Sequence, residues 1–391
     1  MSLVTFGPVE DPVLKQMEAC QRVETGAPAV LCADNHLGYS MPIGGVVGYE
    51  AHVSPSAVGY DIACGNCAVR TDVPAASIDR AAVMNEIWRR LSFGMGRRNA
   101  ERVEHAVLDD IAECHHPFQR GLAQLAADQL GTIGGGNHYV DLFEDAADGA
   151  LWIGVHFGSR GFGHRTATWA LEQAGATSDD MHAPPAVMKL SSERAALYLD
   201  GMDRAGRYAY AGRDWVIDRV LKILGARATD RIHNHHNFAW QETHHGRTLW
   251  VHRKGATPAF PGQRGFVGST MGEPAVILEG RKTERAASAL YSTVHGAGRL
   301  MSRTKAAGKF RGWGPRRRQI ARGVVDYPKW QRQLAAQGIE LRGGGADEAP
   351  ECYKRLSDVL ELHGNTVTIL HVLRPIGVAM ATTDEYDPFR D

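Results

Sequence analysis

Histidine, cysteine and aspartate recur beside glycine along this chain. The clearest cases are Asp34-Asn35-His36-Leu37-Gly38, Gly59-Tyr60-Asp61-Ile62-Ala63-Cys64-Gly65-Asn66-Cys67 and Gly134-Gly135-Gly136-Asn137-His138. His156-Phe157-Gly158-Ser159-Arg160-Gly161, His233-Asn234-His235-His236-Asn237 and His295-Gly296-Ala297-Gly298-Arg299 complete the set. Glycine permits positive φ and close approach of backbone to a ligand. Imidazole, thiolate and carboxylate are metal ligands. Their repeated pairing points to one site assembled from several loops. Asp61, Cys64 and the imidazoles form a mixed hard and soft donor set, which suits Mn²⁺, Fe²⁺ or Zn²⁺ better than Mg²⁺ or Ca²⁺. A thiolate can bridge two metals, so a dinuclear centre is open. Two adjacent metals fit phosphoryl transfer, where they clamp the attacking and leaving oxygens.

Competing motif readings are weaker. Cys64-x-x-Cys67 has neither the second ligand pair of a zinc ribbon nor the βαβ context of a thioredoxin site. Gly134–Gly136 lacks the Lys-Ser/Thr ending of a P-loop, and no histidine pair brackets a glutamate as in zincins. A second feature lies downstream. Between Glu284 and Asp326 there is no acidic residue, while Arg285, Arg299, Arg303, Lys305, Lys309, Arg311, Arg316, Arg317, Arg318 and Arg322 fall there, with Phe310 and Trp313 interleaved. Arginine binds phosphate bidentately and aromatic rings stack on unpaired bases, so this stretch reads as a candidate phosphate- and base-binding surface. The plainer reading is a solvated basic face.

The elements that must position these residues are a mixture of strands and helices. Pro12–Val23, Asp79–Leu91, roughly Asn99–Leu130 and Ala186–Leu224 carry helical spacing of apolar residues, with Leu197, Met202, Tyr208 and Val216 facing inward. Ala27–Cys32, Cys67–Val73, Trp152–Phe157, Thr248–Arg253, Ala275–Leu278 and Thr366–Val378 read as strands. Strands at both ends with helices between argue for an α+β fold: a single large domain, residues 1–391, of mixed β-sheets flanked by helices. The C-terminal strands are expected to complete a sheet begun near residue 30. The 391 residues balance 44 Lys+Arg against 44 Asp+Glu, which argues against a globally basic nucleic-acid binder. With 43% hydrophobic residues the chain can bury a sizeable core. No signal segment and no apolar run of about 18 residues is present, so a cytoplasmic protein without membrane association is expected. Six cysteines are too few for a disulfide scaffold.

Taken in order, these segments resemble the RtcB family of RNA-splicing ligases. The matching motifs run from about Asp34 to Val378. They include the Asp61–Cys64 loop, Gly-Gly-Gly-Asn137-His138, His156-Phe-Gly-Ser-Arg160-Gly, and His236-Asn237 followed by Glu242. Arg253-Lys254-Gly255-Ala256, Met271-Gly272, His295-Gly-Ala-Gly-Arg299 with Ser302-Arg303, and Asp347-Glu348-Ala349-Pro350 before Tyr353-Lys354 continue the series.

The resemblance implies a GTP- and Mn²⁺-dependent ligase. It would join RNA ends bearing a 2′,3′-cyclic phosphate or 3′-phosphate to 5′-hydroxyl ends, in RNA repair or tRNA splicing. His295 would be the nucleophile that carries guanylate. Asp61, Cys64 and His138 would hold one Mn²⁺; Cys64, His156 and His236 would hold the second. Asn137, His138, Asp141, His236, Asn237, Gly268, Ser269, Thr270, Met271, His295, Gly296, Ala297, Gly298 and Met380 match nucleotide-contacting positions. Arg160, Arg299, Arg303, Arg316 and Arg317 are assigned to RNA. His235 is His236's competitor, but the spacing to Glu242 selects His236. His36 is read as supporting the site or facing RNA, and His164, His233 and Cys67 as structural. Glu348 and Lys354 are expected to pair as ions. Broken RNA, GTP and an archease-like activator are the implied partners. The alternatives are a metal-dependent cyclic phosphodiesterase or phosphatase that does not join ends, and a paralogue that only binds RNA ends.

Three positions depart from the family pattern. Asp141 stands where glutamate is usual, Ala275 where serine is usual, and Met380 where the closing lysine is usual. Three polar contacts at ~1 kcal/mol each amount to about two orders of magnitude in GTP affinity; the alternative is a shifted nucleotide preference.

Overall fold

The computed structural model describes residues 3–176, 181–312 and 318–382. Its centre is an eight-stranded mixed sheet. The strands run in the order Arg264–Val267, Ala275–Gly280, Val367–Thr382, Tyr139–Asp145, Ala150–His156, Gly65–Pro74, Ala228–His235, with Glu340–Gly344 joined in parallel to Val367–Thr382. The ends of this series approach one another. Phe266 N donates to Asn234 Oδ1 at 3.1 Å, and Asn66 Nδ2 donates to Phe266 O at 2.9 Å. A second sheet has five strands, Leu3–Thr5, Ala29–His36, Ile43–Tyr49, Arg247–Lys254 and Asn237–His244. Val30, Cys32, Val46 and Val251 of the smaller sheet share one core with Val276, Leu278 and Val367 of the larger. On the other side the helix Glu193–Leu224 packs Val216 and Val220 against Val69, Ile153 and Val155. This is the expected α+β architecture of mixed sheets flanked by helices.

Three expectations need correction. The C-terminal strand pairs with Ala275–Gly280, Tyr139–Asp145 and Glu340–Gly344, not with the strand near residue 30. Pro375 is tolerated inside this 16-residue strand because it falls between two successive partners on one edge, beside a bulge at Pro375/Gly377. The Asn99–Leu130 periodicity resolves into three short helices, Ala106–Glu113, Pro117–Arg120 and Ala123–Gln129. Pro117 opens the second, which breaks any continuous helix there. By contrast Glu193–Leu224 is one helix of 32 residues, opened by the Ser192 side chain and closed by left-handed Gly225. Met202, Tyr208 and Val216 face inward as expected; Leu197 is only half-buried, and Tyr198 takes the inward place.

Candidate active site

Strand register gathers the candidate ligands. Gly65–Pro74 sits between Ala150–His156 and Ala228–His235, with Asn66 opposite His156 and Gly65 opposite His235. His156 is also opposite Tyr139. Cys64, His138 and His236 each stand one residue beyond a paired position, so they converge with His156 at one end of the sheet. His236 N donates to Cys64 O at 2.8 Å and fixes that junction. Asp61 enters from the preceding loop. A Cβ on Gly158 would lie 2.1 Å from Asp61 Oδ1, so the carboxylate can approach only over glycine.

At this junction Cys64 Sγ lies 3.2 Å from His156 Nε2 and 3.5 Å from His138 Nε2. His236 Nε2 is 3.4 Å from His156 Nε2, and His138 Nε2 is 3.1 Å from Asp61 Oδ2. Two groups able to hold a metal result, Asp61-Cys64-His138 and Cys64-His156-His236, sharing the cysteine. His156 Nδ1 donates to Asn137 O at 3.1 Å, which leaves its Nε2 lone pair directed at the thiol and at His236. Burial pushes His156 and His236 well below the usual imidazole range, so both are neutral. Burial works against ionised Asp61, but its hydrogen bond from His138 and the Arg160 charge win and hold it low. Burial pushes the Cys64 thiol well up. Buried lone pairs facing one another are unfavourable until a cation lies among them, and a divalent ion would ionise the thiol. The donor set therefore fits a transition-metal centre.

His295 follows the short strand Ser292–Val294. Its Nδ1 donates to Asp34 Oδ2 at 2.6 Å, and its backbone N donates to the same oxygen at 2.9 Å. Asp34 is fully buried. Burial opposes its charge, but His295 overcomes this and keeps Asp34 below the ordinary carboxylate range. Lys354 Nζ grips the same strand through Ala33 O and Asn35 O, at 3.0 and 2.9 Å. Gly298, at φ +76°, lies where a Cβ would be 2.2 Å from Asp34 O, so this loop can close on Asp34 only with glycine. With Nδ1 occupied by Asp34, Nε2 is the ring nitrogen left to meet a ligand; the ring lies 5.0 Å from that of His236.

A cavity of about 270 Å³ opens beside these groups. Asp61, Cys64, His156, His236 and the His295–Gly298 loop form one part of its wall, and Asn137, Asp141, Asn237, Gly268–Met271 and Met380 form more of it. Asp141 Oδ1, Tyr139 OH, Ser269 Oγ and Thr270 Oγ1 are buried there without a hydrogen-bond partner. Burial pushes the Asp141 carboxyl well up. So many unsatisfied polar atoms on one wall mark a surface made to meet a polar ligand.

Not every assigned residue borders this cavity. His138 stands behind Asp61 and Cys64. Arg160 is behind it, its Nη1 donating to His138 Nδ1 at 3.1 Å. Arg303 is ion-paired to Asp347 and Glu348. Arg299 does reach the wall, but its Nη1 donates to Tyr353 OH at 2.8 Å. Asn237 spends both side-chain polar atoms on backbone, at Gly255 N and Asp61 O. Arg316 and Arg317 lie outside the described residues. The expected Glu348–Lys354 pair does not form: Glu348 takes Arg303 and Tyr353, while Lys354 takes the carbonyls that flank Asp34. His36 borders the cavity as a neutral ring, lowered to about 4 by burial. His235 is turned away and accepts from Arg213 Nη2 at 2.9 Å. Asp34 was missed as a site residue. Its motif with His36 and Gly38 was visible, but nothing local revealed a partner 261 positions away.

A third metal-capable group, Cys67-Asp214-His233, lies elsewhere, between the same sheet and the helix Glu193–Leu224. Arg213 Nε donates to its histidine at 2.7 Å and Arg231 pairs with its aspartate, so structural partners already hold it. Cys67 itself packs in the core, as expected.

Fold and site together define a mixed α+β protein with a buried metal-capable centre beside a carboxylate-held histidine. The family model described as tRNA-splicing ligase RtcB matches residues 16–381, and the chain belongs to this family. Over 90% of its length it is 30% identical to the tRNA-splicing ligase RtcB of Archaeoglobus fulgidus, covering 87% of that protein. It is 28% identical to the RNA-splicing ligase RtcB of Escherichia coli K12, over 88% of this chain and 87% of that one. Identity to the tRNA-splicing ligase RtcB of Thermococcus kodakarensis is 27%, over 90% and 87%. Among the described residues no helix is long and apolar enough to cross a membrane.

Proposed function

We propose that this protein is an RNA ligase that joins a 2′,3′-cyclic phosphate or 3′-phosphate end to a 5′-hydroxyl end, using GTP and Mn²⁺. Family membership supports the ligase class. The observation that carries the mechanism is His295 fixed through Nδ1 by buried Asp34 beside a metal-capable centre. His295 Nε2 attacks the α-phosphorus of GTP; the bond to the β-phosphate oxygen breaks and pyrophosphate leaves. The ring then carries positive charge, which the Asp34 carboxylate stabilises across its short hydrogen bond. A 3′-phosphate oxygen of the RNA attacks the same phosphorus and the N–P bond breaks, returning a neutral imidazole. The 5′-hydroxyl oxygen attacks the activated 3′-phosphorus, GMP leaves, and the hydroxyl proton passes to solvent or to a neighbouring base. A cyclic phosphate is first opened by water. Asp61, Cys64 and His138, and Cys64, His156 and His236, would hold divalent ions that neutralise phosphate charge. Asp141, Ser269 and Thr270 offer their unsatisfied atoms to the nucleotide. With His138 ligating through Nε2 its proton would sit on Nδ1, and Arg160 would lose that acceptor and turn to phosphate.

The test is incubation with α-labelled GTP and Mn²⁺. The wild type becomes labelled on His295 and His295→Ala does not. A wild type that binds Mn²⁺ but takes no label from any nucleoside triphosphate refutes the mechanism.

A further inference from the structure

The strands Gly308–Arg311 and Arg318–Arg322 form an antiparallel two-stranded ribbon. Every residue of both strands except Gly308 is exposed. A ribbon with no buried face has no core of its own to justify it. Its charge is equally unusual. Lys309, Arg311, Arg318 and Arg322 are exposed, as is Lys305 on the helix beneath, and no acidic residue occurs from Arg285 to Val325. Several exposed arginines elsewhere are matched to carboxylates, Arg89 with Glu86, Arg207 with Asp203 and Arg231 with Asp214. None of these five cations has an ion pair among the described residues. Phe310, 37% exposed, lies by register on the opposite face from Lys309, Arg311 and Arg318, with Arg322.

The root of the ribbon is fixed, and fixed near the cavity. It grows from the helix Arg303–Ala307, whose first residue is ion-paired to Asp347 and to the cavity-lining Glu348. Val324 N and Val325 N donate back to Lys305 O and Ala306 O at 3.1 and 3.2 Å. A Cβ on Gly308, at φ +91°, would lie 2.2 Å from Ala321 O, so the two strands meet closely there. Five residues of strand span roughly 17 Å, longer than one nucleotide. Lys309, Arg311 and Arg318 share one face of the ribbon by register, and an unneutralised row of cations on an anchored stem matches a single-stranded polyanion.

We propose that this ribbon is an RNA-binding arm that holds the sugar–phosphate backbone beyond the reacting ends and sets substrate affinity and length dependence without entering the chemistry. This rests on the RNA-ligase reading, but its test separates the two. In the full chain, Lys309→Ala, Arg311→Ala, Arg318→Ala and Arg322→Ala are combined. Binding of a 20-nucleotide and a 4-nucleotide single-stranded RNA, both with 3′-phosphate, is measured against salt, together with labelling by α-labelled GTP. Labelling and melting temperature should be unchanged. Affinity for the long RNA should fall at least about tenfold at 0.1 M salt, its log–log salt slope should shrink by about 2 to 3, and the short RNA should be affected far less. In ligation, KM should rise with kcat unaltered. Unchanged long-RNA affinity and slope overturn the arm, and leave a protein partner as the occupant. Equal losses for both RNAs also overturn it, because the charges would then act at the reacting ends. Absence of labelling in the wild type defeats the ligase mechanism and leaves the binding comparison intact.

Discussion

Replacing Asp34 by asparagine should slow guanylylation without weakening GTP binding. Asp34 Oδ2 receives both His295 Nδ1–H at 2.6 Å and His295 N–H at 2.9 Å, in a fully buried position. Asparagine keeps the shape and removes the charge. A charge-assisted hydrogen bond of this kind contributes about 1.5–3 kcal/mol. It gains strength as the imidazole becomes cationic in the transition state, so most of this difference falls on the rate. The expected slowing is about ten- to a hundredfold. A flipped amide would present NH₂ to Nδ1, move the ring proton to Nε2 and block the attacking lone pair; the loss would then exceed this range. Rapid-quench labelling at a series of GTP concentrations gives rate and affinity separately. Mn²⁺ affinity should be untouched, since Asp34 belongs to neither ligand group. A variant that labels at the wild-type rate, or one whose defect lies wholly in GTP affinity, refutes the assigned role of Asp34.

Other outcomes follow from individual contacts. Cys64→Ala removes the donor shared by both groups, so equilibrium dialysis should show tight Mn²⁺ binding lost while the circular dichroism spectrum is kept; retention of one tight ion would disprove the sharing. Met380→Lys places a donor on the cavity wall and should lower the GTP concentration for half-maximal labelling about tenfold; no change would exclude that wall as the base site. Glu242 is buried between Arg253 and His244, at 2.6 and 2.7 Å, and Glu242→Gln should cost about 3 kcal/mol at pH 7 in urea unfolding. Burial opposes the Glu242 charge but Arg253 and His244 hold its pKa below 4.5, so this stabilisation is full above 4.5 and fades as pH falls through the lower folded value. Burial lowers Lys254 from 10.5 to about 8; the unfolded chain then holds the extra proton, and Lys254 adds stability, about 3 kcal/mol in all, as pH rises from 8 to 10.5. Comparing Lys254→Met with wild type over that window should show the slope reduced.

The donors of the site were legible because each sits with glycine in a short motif, and metal chemistry restricts which side chains serve. The strands that carry them were harder to see. Ile43–Tyr49 contains three glycines, a residue poor in strands, and reads as a loop until its two partner strands are known. Ala29–His36 reads as a strand only as far as Cys32, since the polar Asp34 and Asn35 look like the start of a turn; in the fold both are buried, with His295 donating to Asp34 Oδ2 and Asn35 Nδ2 donating to Cys32 O. Arg299 and Arg303 read as phosphate contacts for the same reason. Their partners, Glu348 and Tyr353, arrive some fifty residues later and owe their place to tertiary packing. Local pattern reports what a residue can do, and non-local pairing decides which of these it does.

The same distinction changes the weight of the three departures from the family pattern. Ala275 is fully buried in its strand, paired with Leu373, and does not border the cavity. Its lack of a hydroxyl therefore removes nothing from the wall. Asp141 and Met380 do border it, on the neighbouring strands Tyr139–Asp145 and Val367–Thr382. Two contacts at ~1 kcal/mol each reduce the expected deficit to about thirtyfold in affinity. Against this, Tyr139, Ser269 and Thr270 hold unsatisfied hydroxyls on the same wall, and each can return part of the loss by pairing with the base or ribose. The proposed reacting end, with Asp34, His295 and the two metal-capable groups that share Cys64, contains none of these changes. A nucleotide should thus bind more weakly here and still be transferred: labelling should be limited by GTP concentration and not by the rate at saturation.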